Sequence, residues 1–385
     1  MHIGLNLIFL VPGETGGMEI AARELIPALL EAAPAGTRFT AFINREAAVA
    51  GDRPWGDLLP AVTVPVNARN RVQWVLGEQA LLPRLAARQR IDLLHSLAST
   101  APAMGRFRRV VTVHDLIYAR FPEAHGGLRA QAMKALVPLA VSRSDRVIAI
   151  SQSTKSDLQS VLHTPAEKID VVPQGLGQIR NAAALPPEQT REHFQLGQRR
   201  VVLCLSAKRP HKNLLALIGA LARIPAERRP VAIMPGYPTT HEAQLREHSR
   251  ELGVERDVRL VGWVAGAELE GLWSVADAFV YPSLYEGFGL PVLEAMARGV
   301  PVACANISSV PEVAGEAALL FDPQSEAQIA DSIERLLSDP ELAIRLQQAA
   351  VVQAAKFTWE RTAELTLQSY ERALADRSAA APVSL

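Results

Sequence analysis

Along the chain, short apolar runs alternate with longer stretches whose apolar positions recur every three or four residues. Residues 3–11 read as a β-strand, and Gly13, Gly16 and Gly17 then form a loop. From about Met18 the positions Ile20, Ala21, Leu25, Ala28 and Leu29 fall on one face of a helix. Further strand-like runs lie at 38–43, 62–66, 92–95, 109–113 and 145–150, and helical stretches at about 77–90, 128–142 and 152–162 separate several of them. This alternation predicts mainly parallel sheets with crossover helices, an α/β class of fold. The segment Asn181–Gln198 breaks the rhythm with Ala-Ala-Ala-Leu-Pro-Pro and reads as a linker leading into a short helix. The alternation then restarts: Val201–Leu205, a helix from Lys212, Val231–Met234, a helix around 241–252, Val258–Val261, a helix around 267–275, and Ala278–Tyr281. Two similar α/β domains follow, 1–182 and 183–356, with a last helix around Trp359–Leu374 and a tail over 377–385 expected to be disordered. No tandem repeat of 20–50 residues is visible.

Composition narrows the class. The chain has 385 residues, 49% hydrophobic and 21% charged, enough to bury large cores without disulfide or metal staples. Lys+Arg and Asp+Glu are both 40, which argues against a general nucleic-acid binder. Residues 1–180 carry 20 basic and 15 acidic side chains and residues 181–385 carry 20 and 25, so the first half either faces something anionic or has an unevenly charged solvated surface. Cys204 and Cys304 sit in apolar segments without metal-ligand spacing and read as buried, reduced thiols of a cytoplasmic protein. No run reaches the roughly 18 apolar residues of a membrane span, and the apolar start lacks a positive leader, so it reads as a first strand and not a signal peptide.

Open parallel sheets bind ligands beyond the carboxyl ends of their strands, and two such domains facing each other share a cleft there. The richest strand-end loop runs from Tyr281 to Gly299. Gly287 and Gly289 allow close backbone approach, Pro291 suits the first turn of a helix and Gly299 its C-terminal end. The amides opening that helix form an anion site suited to phosphate. Glu286 precedes the helix and Glu294 lies one turn in. Near a phosphate, such carboxylates are suited to accepting hydrogen bonds from sugar or ribose hydroxyls.

This loop resembles the E-x7-E signature of retaining glycosyltransferase family 4, with Glu286 and Glu294 as the two glutamates. The resemblance covers most of the chain: Pro12–Glu19, Thr112–Asp115, Val172–Gly175, Pro210–Leu214, Ser309–Gly315 and Phe357–Trp359 stand in the family's order. It implies two Rossmann-like domains facing a cleft, the B-type glycosyltransferase fold, with an acceptor-side first domain. The second domain would hold a nucleotide-diphosphate sugar, and a final helix over 357–376 would cross back to the first domain. It also implies roles. Glu294 would accept from the donor ribose, and Glu286 would contact sugar hydroxyls near the reacting centre. The backbone of Gly287, Phe288, Gly289 and Leu290 would meet sugar and diphosphate. Lys212 would stabilise the departing diphosphate, Gly16 and Gly17 would form the glycine loop beside donor phosphate and acceptor, and the base would lie near Gly262-Trp263-Val264. His114, at the end of a Val-Val-Thr-Val strand, would bind donor sugar or acceptor, with Asp115 orienting or capping its loop. Many members carry an arginine five or six residues before the lysine. Here those positions are Ser206 and Ala207, and the second cation falls to Arg209 or Lys208, with Arg209 preferred.

Retention can proceed through a covalent carboxylate intermediate or a front-face route, and no lone carboxylate stands out as a nucleophile, which favours the second. No Asp-x-Asp pair is present, so no metal and no cofactor is expected beyond the donor itself. The pattern resembles bacterial mannosyltransferase-like members, which makes GDP-mannose the first donor and a UDP-sugar the second, with a glycan or lipid-linked acceptor. Arg106, Arg108 and Arg109, and Arg84, Arg88 and Arg90, either touch an anionic membrane peripherally or form solvated faces. Two other readings are a non-catalytic nucleotide-sugar-binding protein on this fold, which the intact glutamate pair and Lys212 oppose, and a dinucleotide oxidoreductase. The first strand lacks the Gly-x-Gly-x-x-Gly that the oxidoreductase reading requires.

Overall fold

The computed structural model of the chain describes residues 1–50, 58–121, 128–177 and 183–379. It divides into two compact units, Met1–Gly177 with Phe357–Leu385, and Gln178–Lys356. The expected boundary at 182/183 adjoins 178–182, which lie outside the described residues, as does the expected disordered tail from 380 onward.

The first unit is built on seven strands: β1 (His2–Leu7), β2 (Arg38–Ile43), β3 (Ala61–Thr63), β4 (Leu93–Ser96), β5 (Arg108–Val113), β6 (Arg146–Ala149) and β7 (Ile169–Val171). Their order is β3-β2-β1-β4-β5-β6-β7 and every pairing is parallel. All six residues of β1 are buried, as a central strand covered on both faces requires, and its two polar members, His2 and Asn6, are hydrogen-bonded to Thr40 and to Glu78 and Ser96. On one face Ile3, Leu5 and Leu7 pack with Ala22, Ile26 and Leu29 of the helix Gly17–Ala32. The same cluster takes in Ala363, Leu367 and Tyr370 of the last helix, Trp359–Ala379. That helix therefore belongs to the first unit, against the helix Gly17–Ala32 and strands β5 and β6. It is helical to Ala379, three residues into the segment expected to be disordered. On the other face Ile8, Phe42 and Leu94 pack with Trp74 and Leu82.

The single helix expected over 77–90 is three pieces: Arg71–Leu76, a π-turn Gly77–Leu81, and Leu82–Arg88. Asn70 starts it early by accepting from the amides of Val72 and Gln73, and Pro83, which has no amide hydrogen, stands where the ladder is interrupted. Within the basic cluster Arg108 pairs with Asp145 at 2.5 Å, and Arg109 donates to the Gly105 carbonyl. Among the described residues no helix is long and apolar enough to cross a membrane.

The second unit holds six parallel strands: β8 (Val201–Leu203), β9 (Val231–Pro235), β10 (Val258–Val261), β11 (Ala278–Tyr281), β12 (Val302–Ala305) and β13 (Leu319–Phe321), in the order β10-β9-β8-β11-β12-β13. The three short strands β7, β12 and β13 go unread in the sequence. Cys204 and Cys304 are free and fully buried, and burial pushes the Cys204 thiol up to about 12. Both units are thus α/β with parallel sheets, the class expected.

Candidate functional site

In the second unit two strand-end loops are drawn together. After β8 the chain makes a tight 3-10 turn over Pro210–Lys212, and Asn213 follows in a left-handed conformation. The Asn213 amide donates to the carbonyls of Pro282 (3.0 Å) and Pro323 (2.7 Å), and the Leu284 amide donates to the His211 carbonyl (2.8 Å). These bonds clamp the lysine turn to the loop after β11. Lys212 Nζ then donates to Glu286 Oε1 at 2.5 Å and to the Tyr281 hydroxyl at 3.2 Å. The same carboxylate oxygen accepts from the Tyr281 hydroxyl at 2.7 Å and from the Ser283 hydroxyl. Burial by itself would raise the Glu286 pKa. The Lys212 ammonium and the bonds from Lys212, Ser283 and Tyr281 outweigh it and hold the carboxyl below its ordinary range. The loop backbone is pinned from Ser308, which accepts from the Glu286 amide, and from Ser309, which donates to the Glu286 and Phe288 carbonyls at 2.9 and 2.8 Å.

The helix Leu290–Ala297 begins at Gly289, whose φ of +113° is open to glycine and strained for other residues. Pro291 in its first turn has no amide to leave unpaired. Gly299 follows its end at φ +65°. Glu294 is half-buried on this helix, and no side chain or amide among the described residues donates to its carboxylate. Burial raises it to about 6, with Arg298 opposing and Glu270 adding to the shift. Arg298 itself is held by Glu270 at 2.6 Å and lies over Trp273. The two glutamates are therefore unlike: Glu286 has three donors on one carboxylate oxygen and is held ionised, whereas Glu294 is a vacant acceptor among the described residues.

The two cations proposed beside Lys212 also separate. Lys208 is fully buried and donates to the carbonyls of Gly236 (2.8 Å) and Val261 (2.5 Å), so it ties the ends of β9 and β10. Arg209 is half-buried, and its guanidinium has no hydrogen bond or ion pair among the described residues. Beyond β10, Val264 is buried while Trp263 is exposed and stacks on exposed Tyr237, ring centroids 4.5 Å apart and 15° from parallel.

The remaining candidates lie in the first unit. Gly16 caps the helix Gly17–Ala32 at φ 63°, ψ −135°, a glycine conformation, and its carbonyl accepts from the Glu19 amide. Gly17 is the first residue of that helix and is exposed. His114 follows β5; its Nε2 lies 2.7 Å from the Leu97 carbonyl and its Nδ1 3.5 Å from the Gln174 amide nitrogen. Burial lowers its pKa, so the ring is neutral. Asp115 caps its loop, accepting from the Ile117 amide at 3.0 Å.

Sequence reasoning missed Tyr281, Ser283, Ser308 and Asn213 as supports of the glutamate–lysine pair. Each lies within a few residues of a recognised motif, but its role depends on a fold-made contact. It also missed the Tyr237–Trp263 pair, whose members are 26 residues apart and meet only because β9 and β10 are neighbours.

The chain matches the Glycosyltransferase Family 4 model over residues 15–176 and the Glycosyl transferases group 1 model over residues 187–352. It is 31% identical over 276 residues to O-antigen chain mannosyltransferase B of Escherichia coli, covering 69% of this chain and 70% of that one. It is 29% identical over 278 residues to the serotype-specific mannosyltransferase WbdA of Escherichia coli, covering 70% of this chain, and it spans only 34% of WbdA's length. Among solved structures, Anabaena HepE in complex with UDP and glucose superposes with a TM-score of 0.73 at 21% identity, covering 96% of this chain and 98% of that one. The two family models fall on the two parallel-sheet units in turn, and the chain belongs to glycosyltransferase family 4, a glycosyltransferase of the B-type fold.

Proposed function

We propose that this chain transfers a mannosyl residue from GDP-mannose to a glycan or lipid-linked acceptor, with retention at the anomeric carbon and without a metal ion. The observation that carries the reading is the Lys212–Glu286 pair fixed beside the start of the helix Leu290–Ala297. An ammonium and the positive end of the helix that starts at Leu290 provide positive potential where a diphosphate leaving group gains charge. Arg209, without a partner among the described residues, supplies the second cation. The vacant Glu294 carboxylate accepts from ribose hydroxyls, and Glu286, Gly287, Phe288, Gly289 and Leu290 meet the sugar and diphosphate. The base lies by Val264, and the donor belongs to the second unit. In the first unit His114, Gly16 and Gly17 touch donor sugar or acceptor.

The chemistry follows a front-face course. The C1–O bond to the diphosphate lengthens and the acceptor hydroxyl forms its bond to C1 from the same face. Its proton passes to the departing phosphate oxygen, so the products are the glycoside and a nucleoside diphosphate. No protein nucleophile is needed, and Glu286, already bonded by three donors, is better placed to orient than to attack. Mannose rests on the two Escherichia coli mannosyltransferase relatives. A UDP-sugar is the second reading, favoured by the UDP and glucose of the HepE complex.

Thermal shift against GDP-, UDP-, dTDP- and ADP-sugars tests the donor, since a ligand of the folded state raises Tm according to its concentration over Kd. GDP-mannose should give the largest shift, and labelled mannose should then appear in product with the α configuration. A larger shift with a UDP-sugar sinks the GDP-mannose assignment. Binding with neither transfer nor donor hydrolysis sinks the enzymatic one.

A further inference from the structure

After β4 the chain runs through Leu97–Pro102 without regular structure, yet these residues are buried. Buried irregular backbone must find hydrogen-bond partners from elsewhere in the fold. The π-turn Gly77–Leu81 provides them. Glu78, 1% exposed, accepts from the Thr100 hydroxyl at 3.0 Å. Gln79 holds the backbone at two points, its amide nitrogen donating to the Ala101 carbonyl (3.0 Å) and its amide oxygen accepting from the Ala103 amide (2.9 Å). Glu78 is itself braced by Asn6, at the end of β1, whose amide donates to it and to the Ser96 hydroxyl, both at 3.0 Å.

The opposite side of the same segment faces His114. The Leu97 carbonyl is 2.7 Å from His114 Nε2, and the Ser99 hydroxyl accepts from the His114 amide at 3.3 Å. A carbonyl can only accept, so Nε2 carries the ring proton and Nδ1 is left as the lone-pair nitrogen. The segment after β4 thus leaves Nδ1 as the accepting nitrogen, with the Gln174 amide nitrogen 3.5 Å from it. A π-turn inside an otherwise α-helical stretch is a recurrent mark of functional sites; here the extra residue lets two consecutive side chains, Glu78 and Gln79, reach one segment.

We propose that Glu78 and Gln79 are positioning residues for His114: they lock the segment after β4, and that segment fixes the ring orientation and tautomer with which His114 meets substrate. The inference rests on the assignment of His114 to substrate contact above. Neither side chain touches substrate; both act through the Leu97 carbonyl and Ser99.

The test combines histidine-selective nitrogen NMR with transfer kinetics on the full chain. The His114 signals are identified by their loss in His114→Asn. Gln79→Ala and Glu78→Leu should move them from the single-tautomer pattern toward a mixed one. They should lower kcat about ten- to a hundredfold while leaving the donor KM within about twofold. Glu78→Gln, which keeps an acceptor oxygen, should restore both. Leu29→Ala, a core truncation in the same unit, should lower Tm without moving the His114 signals. Unmoved signals in folded Gln79→Ala overturn the proposal, as does a Leu29→Ala variant that moves them equally. If Glu78→Leu does not fold, Gln79→Ala carries the test alone. Full transfer by His114→Asn would instead remove the substrate role of His114, while the tautomer shift would still report whether Gln79 controls the ring.

Discussion

Lys212 Nζ sits 2.5 Å from Glu286 Oε1, an ion pair between a turn after β8 and a loop after β11 whose side chains are 16% and 13% exposed. In the proposed donor site the pair is more than a packing device, because Glu286 stands in the loop that leads directly into the helix Leu290–Ala297. A diphosphate arriving there competes with Glu286 for the ammonium. Lys212→Ala should lower kcat about a hundred- to a thousandfold, the loss typical of one removed transition-state donor. It also strands a mostly buried carboxylate, so Tm should fall as well. Glu286→Gln should reduce transfer while tightening nucleoside diphosphate product, since it releases the ammonium. In a double-mutant cycle the two stability losses should be less than additive by about 0.5–3 kcal/mol. Additive losses measured by chemical denaturation would show that the pair is not coupled.

Arg209 differs from its neighbour in that its guanidinium has no protein partner among the described residues. Arg209→Ala should raise donor KM about tenfold, the value of one charge-assisted hydrogen bond, and leave Tm nearly unchanged. Lys208→Ala should do the reverse, because its ammonium satisfies two buried carbonyls. A chelator should leave the rate of transfer unaltered if these cations and the helix start carry the diphosphate charge. Loss of activity in chelator, restored by a divalent ion, would overturn the metal-free reading.

If Glu294 accepts from the donor ribose as proposed, it links donor binding to pH. Its carboxyl, raised to about 6, prefers to be protonated in the folded state. Stability from that preference is complete below about 4.5 and is lost as pH rises through about 6. Glu294→Gln should therefore raise Tm at pH 8 and change it little at pH 4. The same substitution should weaken donor binding at pH 8 about ten- to a hundredfold, because an ionised acceptor is replaced by a neutral one. In the native protein, donor affinity should decline as pH falls below about 6. Titrations of donor affinity and Tm from pH 4 to 8 check both signs together.

The stacked rings of Tyr237 and Trp263 lie beyond the ends of β9, the neighbour of β8, and of β10, the next strand out, and β8 leads to Lys212. With strands about 4.8 Å apart, β10 lies about 10 Å from β8, within the reach of a ribose between diphosphate and base. Trp263→Ala should weaken GDP binding by about 1–2 kcal/mol and weaken inorganic pyrophosphate not at all. Equal weakening of both ligands by calorimetry would place the pair outside base recognition.

The chain order of most strands, the glycine–proline helix start and the spacing of the two glutamates were legible because each is local: a run of Val and Ile, a glycine shortly before a proline, a fixed spacing from a loop into the helix that follows. What was not legible depends on neighbours in space. The sequence around Lys208 and Arg209 offers two adjacent cations with Arg209 preferred, and only the carbonyls of Gly236 and Val261 show that Lys208 is already held. Equally, nothing in the pattern of residues 71–88 marks a π-turn, whose purpose becomes visible once Gln79 is seen holding Ala101 and Ala103. Short strands such as Leu319–Phe321 are fixed by pairing with β12, a tertiary contact that no window of sequence contains.

The last helix gives a prediction about stability alone. Its Tyr370 hydroxyl lies 2.7 Å from Nδ1 of His95 in β4, and His95 Nε2 lies 2.8 Å from the Thr112 hydroxyl in β5; all three are buried. Burial, with a smaller contribution from His114, lowers His95 to about 3, so the ring is neutral throughout the working range. Tyr370→Phe keeps the ring and removes the hydroxyl, which leaves a dry imidazole nitrogen unpaired at a cost of about 1–3 kcal/mol. For a unit of this size each kcal/mol lowers Tm by about 2–4 °C. The acid limb carries a second signature. An unfolded histidine binds a proton near 6.5 and the folded one does not, so stability is complete above about 6.5 and is lost as pH falls toward 3. His95→Asn should shorten that acid-sensitive range, whereas Tyr370→Phe should shift Tm at pH 7.5 and leave the shape of the range intact. Melting curves of the three proteins between pH 4 and 8 separate these outcomes, and an acid limb unchanged in His95→Asn would show that other groups govern it.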